Sequence, residues 1–542
     1  MVLENEKKFT MERKKNVIGV LVTFLVVLSA VVPFFGRSFI PTHDGEFHFI
    51  RFVEFNRMLR EGYLFPRWAP TLNSGYGIPV FEFLYPFANY LAAFLHLFAI
   101  GFVDAFKIGS ALGYLAAGLF CFLWLRKRFG LYPAVVGTIA SSFVPYWFVE
   151  LYVRGEIGEV WAIAWVFASL FVIEEDWPLP FTITISLLIL SHNILAMLFF
   201  PFLIVYVLWR RNWKWLIAFI GGMGLAGWFW LPALAESKYM VGLNTVNFRD
   251  HFASVVQLLI PSWGTDFSGT GVSANAMSLQ IGIGPMFWIV IAFITAIFIS
   301  IKKKLKLELF GILAVMALAI GMTLPVSTPV WNALPILQYT QYPWRFLAYL
   351  IPMSAFVIAC VSSVIKQRWI TVIFVVLSIV SSFSYTRGAI YAPRNDQYYL
   401  SRQNFTNGTS SMGNSLSTIW TSWKQIRPSS MLTDTDGRSV PYETVNDKYL
   451  NKLYNVTTSF PESLRINLLY FPGWEVKVDG KSVPIHYISA GTLDFYVDAG
   501  VHSIQADMTE TPMRKFADGI SVISLVSIVG WGILQYIRKR TL

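Results

Sequence analysis

Two carboxylates, two imidazoles and a guanidinium crowd into the eleven residues Pro41-Thr42-His43-Asp44-Gly45-Glu46-Phe47-His48-Phe49-Ile50-Arg51. Asp44 and Glu46 can take a proton from an attacking hydroxyl or coordinate a divalent cation, and His43 and His48 can relay a proton or add ligation. Solvated charges marking a water boundary would also fit, although this density of acids and imidazoles exceeds what helix capping requires.

A second mixed cluster follows at Glu150-Leu151-Tyr152-Val153-Arg154-Gly155-Glu156-Ile157-Gly158-Glu159. Glu156 and Glu159 stand three apart and can share a helix face, either as functional acids or as acids favoured by the helix dipole. Arg154 can pair with these acids or hold a phosphate bidentately. His192, beside Asn193, is an ionisable group expected inside a bilayer, where such groups tend to be functional, although Asn also suits a plain turn. Arg345 closes Gln338-Tyr339-Thr340-Gln341-Tyr342-Pro343-Trp344-Arg345 and calls for an anionic partner, a lipid phosphate or an outer-loop carboxylate. The aromatic residues around it read as an interfacial belt. No phosphate-binding Gly-Lys loop, zinc spacing or nucleophile elbow occurs.

The elements that must position these residues are membrane helices. The chain has 542 residues, 55% hydrophobic and 14% charged, where a soluble protein would carry roughly a quarter charged residues. Apolar runs of about 20 residues recur. The net charge of +11 comes from short Lys/Arg clusters between these runs. That is the pattern of cytoplasmic loops, and it argues against nucleic acid as a partner. Cys121 and Cys360 lie inside expected spans, so no disulfide framework is readable.

Taking each basic cluster as a cytoplasmic marker yields about twelve spans, near 17–36, 105–125, 131–148, 157–173, 179–191, 194–209, 215–235, 281–301, 307–323, 345–365, 369–385 and 517–537. The first is expected to be retained rather than cleaved, with both termini cytoplasmic. The run 86–101 is expected to lie in the interface, and the joint Ser191-His192-Asn193 in a protein-lined cavity. Outer loops are then expected at 37–104, 149–156, 236–280, 324–344 and 386–516. Residues 1–385 form the transmembrane domain, 386–516 an extracytoplasmic β-rich domain, and 517–542 the last helix with its cytoplasmic tail. Alternation predicts strands at 463–471, 474–479, 483–488, 492–497 and 501–508, with hairpin turns at Asp479-Gly480 and Ala499-Gly500. Residues 403–418 read as a loop or loose linker. The expected fold is a polytopic α-helical membrane protein with a small β-sandwich before its last helix.

On His43-Asp44-Gly45-Glu46-Phe47-His48, Glu61-Gly62-Tyr63-Leu64-Phe65-Pro66-Arg67-Trp68, Gly75-Tyr76-Gly77 with Phe83-Leu84-Tyr85-Pro86, and Ser191-His192-Asn193, the chain resembles GT-C-fold membrane glycosyltransferases. It is similar in particular to bacterial membrane proteins that carry the label "6-pyruvoyl-tetrahydropterin synthase-related". The stretch from Tyr470 to Gly480 and Ala499-Gly500-Val501-His502 resemble the end of YfhO-type proteins. The resemblance implies an inverting glycosyltransferase with a polyprenyl-phosphate sugar donor, modifying an envelope glycan, polymer or lipid on the outer face. It implies Asp44 as the acid residue of the first loop, acting as base, with Glu46 or His48 assisting. Arg154, Glu156 and Glu159 would correspond to the second acidic outer loop. By charge alone, and apart from the resemblance, Arg154 or Arg345 could neutralise a donor phosphate, with His192 a further candidate there. Where such enzymes hold Mg or Mn, the matching ligands would be Asp44, Glu46 and Glu156, but Arg-Gly-Glu replaces the Asp common in the second loop. The rival readings are a transporter or flippase for a glycolipid or ion, and a non-catalytic scaffold for envelope assembly.

Overall fold

The computed structural model describes residues 17–36, 38–242, 246–268, 275–299, 302–411, 414–421, 424 and 426–541. The basic stretch from Lys7 to Lys15 and the side chains of Arg538, Lys539 and Arg540 lie outside the described residues.

The chain is a multi-pass membrane protein. Among the described residues seven helices are long and apolar enough to cross a bilayer, or nine if each of two bent pairs is one span. Twelve full crossings are not reached on this measure, because Val17–Ser29, Pro178–Ser191 and Ile283–Phe298 are shorter apolar helices. At 1.5 Å per residue, the 14 residues of Pro178–Ser191 rise about 21 Å, short of a hydrocarbon core of about 30 Å. The run 86–101 gives only the ten-residue helix Phe87–His96, too short to cross.

One bent pair is Leu131–Ser142 with Pro145–Arg154, which meet at 51°. Pro145 opens the second piece, where its missing N–H and fixed φ are tolerated. This second piece overturns the expected outer loop at 149–156. Val149–Arg154 is instead a wide, π-type helical turn, buried at every residue. Turns of this kind often occur at functional sites. Trp215–Leu225 and Gly227–Tyr239 form the other bent pair.

The chain forms two compact units. The first comprises Met1–Glu46, Asp104–Met223 and Val246–Pro393. Its centre is helix Leu350–Val364, apolar all round and buried from Leu350 to Ser362, as a helix surrounded by other helices should be. Helices Leu131–Ser142, Ile283–Phe298 and Lys303–Met322 pack on it.

The second unit comprises Phe47–Val103, Gly224–Thr245 and Arg394–Leu542. It holds two antiparallel sheets, one ordered β1(Leu432–Asp434)-β4(Glu462–Leu469)-β7(Thr492–Val497). The other is ordered β2(Tyr442–Lys448)-β3(Asn451–Thr458)-β8(Gly500–Met508)-β5(Trp474–Val478)-β6(Lys481–Val483). Leu464, Ile466, Leu493 and Phe495 of the first sheet share one core with Val456, Val476, Ile504 and Ala506 of the second. Period-2 alternation therefore found β4, β5, β7 and β8. It missed β1 to β3, where β2 shows almost no buried face, and its strand at 483–488 shares only Val483 with β6, which spans Lys481–Val483. Asp479 and Gly480, both at positive φ (52° and 77°), make the tight turn between β5 and β6. Ala499-Gly500 is not a hairpin, because β7 and β8 belong to different sheets; it is the corner where the chain changes sheet.

Phe55, Trp68, Leu72, Ile78 and Phe81, from the segment between Phe47 and Val103, join this same core. The compact unit thus unites this segment, the β sandwich and the last helix. The stretch 403–418 is tied down rather than loose. Asn73 N–H donates to Gly408 O at 2.8 Å, and Ser74 N–H to Thr406 O at 3.0 Å. The last helix, Pro512–Thr541, packs on Gly227–Glu236. Arg514, buried, donates to Glu236 at 2.7 Å, and Arg67 pairs with Glu82 at 3.0 Å. Burial pushes the Glu82 carboxyl above its usual range, with Arg67 and Arg514 opposing the shift.

Candidate functional site

Within the first unit, four separate stretches bring charge to one place. The approach begins with backbone geometry. His43 N–H donates to Val153 O at 3.0 Å, and Asp44 N–H to Arg154 O at 2.8 Å. The residues before helix Gly45–Arg60 are thereby strapped to the π-type turn. Thr42 Oγ1 accepts from Gly45 N–H at 3.0 Å and starts that helix. Gly155 ends the π-type turn at φ 68°, and a Cβ placed there would come within 2.0 Å of Thr42 Oγ1. Only glycine satisfies both the left-handed backbone and the close approach.

Arg154 is the hub. Its Nη1 donates to Glu150 Oε2 at 2.6 Å and to Glu159 Oε1 at 2.7 Å, and its Nη2 lies 3.8 Å from Asp44 Oδ2. Glu159 Oε1 also accepts from Arg345 Nε at 2.9 Å, and Glu159 Oε2 accepts from the Tyr146 hydroxyl at 3.1 Å. Arg345 Nη1 donates to Thr340 O and to Gln341 Oε1. His192 Nε2 stands 3.7 Å from Glu159 Oε1, while Nδ1 accepts from Leu195 N–H at 3.1 Å. That backbone bond requires an unprotonated Nδ1 and so directs the Nε2 proton toward Glu159. Glu150, Arg154, Glu159, His192 and Arg345 are all buried, whereas the Asp44 side chain keeps 23% of its exposure.

Asp44, Arg154, Glu159, His192 and Arg345, all singled out in the sequence, thus converge. Glu156 serves as the cap of helix Ile157–Glu174, accepting from Gly158 N–H at 3.2 Å. Glu46 lies in the first turn of helix Gly45–Arg60. His48, on the same helix, is buried, its ring 6.1 Å from that of Phe52. His43 Nε2 meets Thr265 O at 2.7 Å. Three partners were given no role in the sequence reading. Glu150 stood unassigned at the head of the second cluster, and Tyr146 looked like the end of a span. Trp344 looked like part of an interfacial belt, yet Tyr342 and Trp344 are buried. The Trp344 ring lies 4.8 Å from the Arg154 guanidinium and the Tyr342 ring 5.0 Å from that of Arg345. Each offers its π face to a buried cation. Among the described residues no three His, Cys, Asp or Glu side chains converge so as to hold a metal ion, and the Arg154 guanidinium beside Asp44 opposes a cation there. Asp44, Glu46 and Glu156 do not form a ready ligand set for Mg or Mn.

No family model matches this chain. A Lactococcus lactis subsp. cremoris (strain MG1363) protein, described as "uncharacterized protein", is 23% identical over 264 residues, 44% of this chain and 41% of that protein. Among solved structures, the chain is similar to arabinofuranosyltransferase AftD from mycobacteria, at 13% identity and a TM-score of 0.46. The likeness covers 71% of this chain and 28% of that one. It is also similar to the apo oligosaccharyltransferase of Archaeoglobus fulgidus, at 15% identity and a TM-score of 0.40, over 71% of this chain and 57% of that one. This chain spans less than two thirds of the length of each of these proteins.

Proposed function

We propose that this protein is an inverting membrane glycosyltransferase that takes its sugar from a polyprenyl phosphate and transfers it to an envelope glycan, polymer or lipid on the outer face. The observation that carries the reading is the position of Asp44, partly exposed and 3.8 Å from an arginine that two buried glutamates hold in place. In this reading Asp44 removes the proton of the acceptor hydroxyl. The hydroxyl oxygen bonds to the anomeric carbon as the bond from that carbon to the phosphate oxygen breaks. The leaving group departs as polyprenyl phosphate, and attack opposite it inverts the anomeric centre.

Arg154 and Arg345 supply the positive field for the phosphate. Glu159 holds both guanidiniums in register, so the field is set before the donor arrives. Arg345 commits Nε and Nη1 to protein acceptors, and its Nη2 is the donor that faces an incoming phosphate in this reading. Positioned base catalysis contributes about 10²–10⁴-fold, and the fixed charges the rest.

The buried ion-pair network also supports a rival reading, a carrier for a glycolipid or ion. One experiment separates them. Protein in lipid nanodiscs is given a panel of radiolabelled polyprenyl-phosphate sugars with crude envelope acceptors. Transfer by the wild type that Asp44→Asn abolishes supports the enzyme. Equal transfer by both would remove Asp44 as the base, and release of no sugar from any donor, with movement of lipid-linked sugar across proteoliposomes, would favour the carrier.

A further inference from the structure

The second unit carries a half-exposed aromatic shelf. Trp420 stacks on Tyr239, with centroids 5.5 Å apart, and meets Tyr470 and Tyr487 edge-on at 5.1 and 5.0 Å. Tyr470 and Tyr487 stack face to face at 3.6 Å. All four rings keep part of their surface open. Two isoleucines flank them: Ile419 is 54% exposed and Ile488 80%. A β domain in water has no evident use for such a patch, since contiguous exposed apolar surface marks a binding face.

The backbone places the shelf at the end of a membrane helix. Ile419 N–H donates to Tyr239 O at 3.0 Å, and Val241 N–H to Ser417 O at 2.8 Å. Tyr239 is the last residue of the apolar pair that starts at Trp215. Glu236, just before it, accepts from Thr511 and Arg514 at 2.8 and 2.7 Å, and the last candidate span opens at Pro512. This buried ion pair therefore joins the end of one apolar helix to the start of another.

We infer that Tyr239, Ile419, Trp420, Tyr487 and Ile488 form a foot by which the β domain rests in the headgroup layer of the lipid bilayer. Tyr and Trp are the residues suited to that layer, with an apolar body and a polar tip. The isoleucines supply the apolar area, as on surfaces that lie in the interface without crossing it. The foot is continuous with the membrane helices, so its occupant is the lipid surrounding them.

The test uses the full chain in nanodiscs of phosphatidylcholine and phosphatidylglycerol. The emission of Trp420 is taken as the difference between wild type and Trp420→Phe. Lipid brominated at carbons 6 and 7 should quench that difference signal by half or more, lipid brominated at carbons 11 and 12 less, and aqueous acrylamide least. A paired Ile419→Asp, Ile488→Asp variant should lose at least half of the lipid quenching with its melting temperature unchanged. If acrylamide quenches Trp420 fully and neither brominated lipid does, the shelf faces water and the foot is wrong; a saccharide or a second copy of the chain is then its occupant. Unaltered lipid quenching in the paired variant would likewise overturn the anchoring role. Should that variant fail to fold, the wild-type and Trp420→Phe comparison decides alone.

Discussion

Oε1 of Glu159 accepts at once from Arg154 at 2.7 Å and from Arg345 at 2.9 Å, and all three side chains are buried. One carboxylate oxygen therefore joins the turn at 149–154 to the entrance of helix Leu350–Val364. Its removal leaves two buried guanidiniums facing each other, with Glu150 and the more distant Asp44 to offset the Arg154 charge.

Breaking a buried pair by neutralising one partner typically costs about 3–5 kcal/mol. Glu159→Gln is expected to lower the melting temperature in detergent sharply and to cut the yield of folded protein. Glu156→Gln, at the cap of helix Ile157–Glu174, should cost less, about 1 kcal/mol. Equal melting of the two variants would remove Glu159 from its central place.

Asp44 behaves differently because it is partly solvated and lies beyond hydrogen-bond range of Arg154. Asp44→Asn should change stability by less than about 1 kcal/mol, yet reduce sugar transfer by about 10²–10⁴-fold. Thermal melting and transfer measured on one preparation would separate the two effects. A large loss of stability would mean that Asp44 is structural.

At Gly155 the backbone and the packing make the same demand. Gly155→Ala puts a Cβ at positive φ and against Thr42. The backbone conformation alone costs about 1–2 kcal/mol. The strap at residues 42–44 should shift, so transfer is expected to fall more than stability does. An alanine variant with wild-type transfer would show that the strap tolerates displacement.

In the β sandwich, His502 donates to Asp479 at 2.8 Å and to Asp498 O at 3.0 Å. The hydrogen bond to Asp479 raises the imidazole above its ordinary 6.5. The Ser503 N–H, then His502, hold the Asp479 carboxyl below its ordinary 3.8. The imidazole contribution is complete below pH 6.5 and disappears as pH rises through the raised value. The carboxylate contribution is complete above pH 3.8 and disappears as pH falls through the lowered value. The difference in melting temperature between wild type and His502→Gln should therefore be largest between about pH 4 and 6.5 and shrink toward pH 9. A difference that does not vary with pH would mean that the pair makes no titrating contribution.

Much of this protein was legible in its residues taken in order. Apolar runs of helical length announce a membrane protein because a bilayer demands about 20 apolar residues per crossing. Alternation exposed β4, β5, β7 and β8, whose buried and open faces differ. Asp44, Arg154, Glu159, His192 and Arg345 stood out because ionisable groups are rare in such surroundings. What tertiary structure alone decided was partnership. Glu150 and Tyr146 sit in a stretch that reads as span and loop, and only the bend at Pro145 and the π-type turn carry them to Arg154. Trp344 reads as a belt residue until the buried guanidinium beneath it is seen. Phe55 to Phe81 and the β strands, which begin at Leu432, are more than 300 residues apart in sequence and share one core. Local pattern records which face of an element is apolar, but not which distant face will cover it.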